Sequence, residues 1–83
     1  MLLFWITFRS LTHAQRAARA LERKGFTASI AKLPQELSGR GCAYAVIIRR
    51  NLREALRILS EGKIPYERVY ERSSGGEFRE TRP

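Results

Sequence analysis

Residues 2–8 read LLFWITF, Leu2 to Phe8, a continuous apolar run of aromatic and branched side chains. It has the length of one strand and no polar alternation, the pattern of a strand buried on both faces. A helix signal follows directly. Ser10 or Thr12 can cap it, Thr12 and Gln15 have capping-box spacing, and Leu11, Ala14, Ala17, Ala18 and Leu21 recur at helical spacing up to Gly25. The spacing predicts a helix over 11–24 whose mostly alanine face can lie close to a sheet.

Residues 26–33, FTASIAKL, alternate Phe26, Ala28 and Ile30 with Thr27, Ser29 and Ala31, as a half-exposed strand does. PQELSGRG (34–41) reads as a loop, and CAYAVII (42–48) as a second fully apolar strand closed by Arg49 and Arg50. Asn51 and Glu54 have the spacing to cap a second helix, with Leu52, Ala55, Leu56 and Leu59 as its apolar face and Gly62 at its end. YERVYER (66–72) alternates as a polar edge strand, with Tyr66 and Tyr70 on one side of it.

The order is βαββαβ. Two wholly apolar strands belong in the middle of a sheet and two half-polar ones at its edges, which is the α+β, ferredoxin-like sandwich: four strands, antiparallel or mixed, with both helices on one face. Residues 1–72 form that single domain, and 73–83, SSGGEFRETRP, read as a disordered tail. If Phe4, Ile6 and Phe8 face the helices, Leu3 and Trp5 point to the open side, an apolar patch suited to a homodimer unless the tail covers it.

Eighty-three residues suit one small domain that buries only ~60% of its unfolded surface. The net charge is +8, from 13 Arg and three Lys against eight Glu, a surface that attracts phosphates and other polyanions unless it records only an arginine-rich composition. A single Cys makes no intrachain disulfide, and with His13 as the sole histidine there is no zinc site of the Cys/His type. The expected setting is the cytoplasm. MLLFWITF is too short to span a bilayer and has neither a basic start nor a cleavage pattern, so no membrane association is expected. Ser10 and Gly62 read as cap residues and His13 as a solvated first-turn residue. No nucleotide, flavin or metal site is apparent, and no cofactor is expected.

Cys42 is the candidate for chemistry. In SGRGC, Ser38, Gly39, Arg40 and Gly41 can form an anion pocket: the glycines let backbone amides turn toward a thiolate and Arg40 adds a positive charge. His13 follows the first strand, whereas Cys42 begins the third. If those strands run parallel, the two residues sit at opposite ends of the sheet, which argues against a Cys/His dyad and against enzymatic hydrolysis. A lone thiol can still act as a carrier, holding sulfur or selenium as a persulfide-type adduct. It can equally be a small buried hydrophobe.

Phe8 and Ser10, then Pro34, Glu36, Leu37 and Ser38, then a Gly/Ser loop delivering Cys42 into GCAYAV, together resemble the small bacterial selenium/sulfur (Se/S) carrier protein-like family over roughly residues 3–72. The resemblance implies a carrier thiol at Cys42, with sulfur or selenium donor and acceptor proteins as partners and a transient adduct in place of a cofactor. The chain departs from that pattern at Ala43, where Gly is common, at Ala18, where an acid is common, and in a loop one residue longer.

A rival reading compares RGCAYAVI (40–47) with the third-strand octamer of an RNA-recognition motif, matching at Arg40, Gly41, Ala43 and Tyr44 but placing Cys42 and Ile47 where aromatics belong. It nominates Trp5, Arg40 and Tyr44 as a nucleic-acid face.

Overall fold

The computed structural model describes residues 2–35, 37 and 43–81. The elements run β1 (Leu3–Phe8), α1 (Leu11–Arg23), β2 (Ser29–Lys32), β3 (Tyr44–Ile48), α2 (Leu52–Glu61), β4 (Val69–Arg72) and β5 (Phe78–Thr81). They build an α+β structure around one antiparallel sheet with the order β2-β3-β1-β4-β5. The apolar strands β1 and β3 are internal, as their sequences required.

The sheet has five strands, not four. Residues 78–81, expected in a disordered tail, pair with β4, so β4 is internal and the edge passes to β5. The hairpin turn that enables this uses Gly76 at φ 88, and Gly76 N–H donates to the Ser73 carbonyl at 2.9 Å. Tyr66 and Tyr70 do not share a side: Tyr66 packs with the helix-side core and Tyr70 with the opposite face. The ordered strand begins only at Val69, so the alternation read across 66–72 does not extend to Tyr66.

Ser10 caps α1, its Oγ accepting from His13 N–H at 3.2 Å, while Thr12 lies inside the helix. Asn51 does not cap α2 through its side chain. Its backbone is left-handed, φ 55 and ψ 53, whereas a side-chain cap needs an extended residue. Glu54 turns instead to Arg57, which also reaches Glu61. Gly62 closes α2, and the left-handed residue beyond it is Lys63.

Both helices pack on one face of the sheet. Ala14, Ala17, Ala18 and Leu21 of α1 and Ala55, Leu56, Ile58 and Leu59 of α2 share a core with Ile6, Phe8, Val46, Ile48 and Val69. Phe26, predicted to begin a strand, lies in this core ahead of β2. On the other face Trp5, Leu33 and Ala45 form a second cluster with Leu3, Ala31, Leu37, Ile47, Tyr70 and Phe78 against it. That face was expected to expose Leu3 and Trp5 unless the tail covered it, and Trp5 is only 6% exposed. Phe78 meets its ring edge-on at 5.0 Å, and Leu33 and Leu37 close the other flank.

Candidate functional site

The site is built at the end of β1. Phe8 is wholly buried and anchors the strand in the helix-side core, while its carbonyl accepts from Ala43 N–H at 3.3 Å. Phe8 also registers with Tyr44, the first residue of β3. Because β1 and β3 are antiparallel, the start of β3 lies beside the end of β1 and therefore beside the start of α1. This overturns the expectation that parallel strands would separate His13 from the beginning of the third strand. A βαββ path brings the hairpin strand back antiparallel to its central neighbour, and the sheet register records that return.

Three further contacts shape this end of the sheet. Ser10 Oγ lies 2.7 Å from His13 Nδ1 while also accepting from the His13 backbone N–H. His13 is half-buried rather than freely solvated. On the far side, Arg9 Nε pairs with Glu67 at 3.1 Å. Thr7 is opposed by two residues: its N–H donates to the Arg68 carbonyl and its carbonyl accepts from Glu67 N–H, each at 2.8 Å. The offset is that of a bulge, and the spare Arg68 N–H donates to Thr7 Oγ1 at 2.9 Å. No acid occupies the first turn of α1, so its N-terminal amides keep their attraction for an anion uncancelled.

Cys42 and the pocket residues Ser38, Gly39, Arg40 and Gly41 lie outside the described residues, as does Glu36. What is described are the flanks of that loop. Leu33 N–H donates to the Ala43 carbonyl at 3.0 Å, Leu37 N–H donates to the Pro34 carbonyl at 2.9 Å, and Leu37 packs against the Trp5 cluster. The chain therefore joins β3 at Ala43, one residue after Cys42, at the Ser10–His13 end of the sheet.

Trp5 and Tyr44 are not brought together. Tyr44 packs with the helix-side core and Trp5 with the opposite cluster, so the sheet itself separates the two rings nominated as a nucleic-acid platform. Trp5 is also covered, which removes the open π-face that base stacking requires. Sequence reading passed over the Ser10–His13 pair. Its signal was there: a cap residue and a histidine three positions on face each other across the first helical turn. Among the described residues no group of His, Cys, Asp or Glu could hold a metal ion, and no helix is long and apolar enough to cross a membrane.

No curated protein and no solved structure matches the chain. One family model does, over residues 4–71, from the second residue of β1 to the third of β4, and the span includes Cys42. The chain belongs to the family described as "Putative Se/S carrier protein-like".

Proposed function

We propose that the protein carries sulfur or selenium on Cys42, working at the end of the sheet where β1, β3 and the start of α1 converge. The observation that carries this reading is the Ala43 N–H to Phe8 carbonyl bond, because it ties the residue after the thiol to the strand end from which Ser10 and His13 project. An imidazole and a helix N-terminus at the same end are groups that favour a thiolate over a thiol. Membership of a family described as Se/S carrier-like supports a carrier role, and the +8 charge adds a favourable potential for anionic donors.

The chemistry is exchange without net oxidation. The Cys42 thiolate attacks the outer sulfur of a donor persulfide, R–S–SH. The donor's S–S bond breaks, R–S⁻ leaves, and Cys42–S–SH holds the sulfur until an acceptor nucleophile takes the same outer atom and restores the thiolate. A selenium-bearing donor, R–S–SeH, transfers selenium by the same attack. In this reading the protein is a carrier served by donor and acceptor proteins, acting in the reducing cytoplasm. It is no enzyme, and its first four strands, ordered β2-β3-β1-β4, form a ferredoxin-like sandwich to which β5 is added.

The test is the pH dependence of Cys42 alkylation by iodoacetamide in folded and unfolded protein. A half-point well below the ~8.5 of an ordinary thiol is expected in the folded state. His13→Ala should move it back upward and slow alkylation at neutral pH. Protection of the folded thiol at every pH would end the carrier reading.

A further inference from the structure

At the opposite end of β1, ~17 Å away at ~3.3 Å per residue, lies a pocket of about 350 Å³ lined by Leu3, Arg49, Arg72, Ser73, Ser74 and Gly76. Two arginines and two serines are among the residues that line it, and among the described residues no Asp or Glu does. The sheet register explains the convergence. Leu3 pairs with Arg72 of β4 on one side, and on the other β3 passes Phe4 at Ile48, so Arg49 follows just beyond. The β4–β5 hairpin then folds Ser73, Ser74 and Gly76 over the same corner.

Arg72 is held in place without an acid. Its guanidinium carbon lies 5.7 Å from the Trp5 ring centre and 5.0 Å from that of Phe78, two cation–π contacts that position the side chain and leave its charge unneutralised. A Cβ added at Gly76 would sit 3.8 Å from an Arg72 guanidinium nitrogen, so the turn runs close beside the cation. Arg9, Arg57 and Arg68 each hold a glutamate, whereas among the described residues no ion pair engages Arg49 or Arg72. Two cations without acids, meeting in one pocket with hydroxyl donors, are a receptor for a tetrahedral oxyanion.

We propose that this pocket binds a small phosphomonoester, its phosphate held by Arg49 and Arg72 with the Ser73 and Ser74 hydroxyls, and its organic body against Leu3. The volume selects the class: a bare phosphate leaves much of the space empty, and about 350 Å³ falls within the ~300–1,000 Å³ of small-molecule pockets. The site is separate from the Cys42 end of the sheet and stands independently of the carrier reading.

The chain's single tryptophan lies directly under Arg72, so its fluorescence reports on the site. The experiment titrates the full chain at fixed ionic strength with phenyl phosphate, inorganic phosphate and a short single-stranded oligonucleotide, following Trp5 emission and binding heat. Saturable one-to-one binding of phenyl phosphate is expected, tighter than inorganic phosphate, with at least a tenfold loss in Arg72→Ala and in Arg49→Ala. Arg49 lies outside the strands, so Arg49→Ala keeps the test valid should Arg72→Ala disturb the hairpin. Arg16→Ala, on the exposed side of α1, should change nothing. Absence of saturation, an equal loss in Arg16→Ala, or binding of the oligonucleotide alone would overturn the proposal.

Discussion

On the helix side of the sheet, Ile6, Phe8, Val46 and Ile48 meet two helices across a closely packed layer, and the largest of these side chains reach zero exposure. On the other side, Trp5 and Ala45 are also buried, but by a thin cover: one ring from β5, two leucines from the segment after β2, and the guanidinium of Arg72. Among the described residues the buried polar side chain is Thr7, which alternates with Ile6 and Phe8 and is not part of the helix-side core. The covered side contains an indole N–H with no hydrogen-bond partner among the described residues and a cation lying over the same ring. A face built from two amphipathic helices can be purely apolar, because each helix satisfies its own backbone. A face covered by a hairpin and a loop brings turns, arginines and hydroxyls with it, and a ligand pocket belongs at such a border.

Deleting an aromatic from each face puts this contrast to the test. Phe8→Ala empties a fully enclosed position and should cost about 3–5 kcal/mol, read as a lower urea midpoint at unchanged slope. A cost as small as that of a surface change would mean that the helix layer collapses onto the gap. Thr7→Val, at the junction of β1 with residues 67 and 68, removes the acceptor of the spare Arg68 N–H and should cost about 1–3 kcal/mol. Faster hydrogen exchange at the Arg68 amide is the specific sign.

Phe78→Ala strips the cover and should cost about 1–2 kcal/mol, less than Phe8→Ala because Phe78 is only half-buried. Trp5 emission should shift to the red as water reaches the ring. An unshifted spectrum would show that Leu33 and Leu37 cover Trp5 without β5.

The smallest effect belongs to the exposed α2 surface. The Arg57 hydrogen bond holds the Glu54 carboxyl below its ordinary value. With a depressed folded pKa, the pair's stabilisation is present above the unfolded carboxylate pKa of about 4.3 and is lost as pH falls through the folded value. Arg57→Ala should raise the Glu54 titration midpoint, followed by NMR, with little change in melting temperature at neutral pH.

Much of this layout was legible in residues alone. LLFWITF and the apolar run through Ile48 could only be internal strands, and the alanine stripe from Ala14 to Ala18 could only lie against a sheet. The role of Phe78 was not legible, because one aromatic among Ser, Gly and charged residues carries no periodic signal; its burial depends on Trp5, more than seventy positions earlier. Asn51 misled in the same way: the capping spacing is present, but a left-handed backbone turns its side chain from the amides it would cap.

For the candidate site the division follows range of interaction. Ser10 and Cys42 announced themselves through local pattern and family likeness, while the end of the sheet at which the chain meets β3 depended on strand direction. Composition and periodicity act over a few residues, so the sequence by itself determined the two helices, the first four strands, the helix-facing core and the family. Strand polarity, the fifth strand and the convergence of Arg49 and Arg72 were decided only in the tertiary structure. Each is a register between segments far apart in the chain, and hydrogen-bond ladders that join distant residues leave no mark on either segment alone.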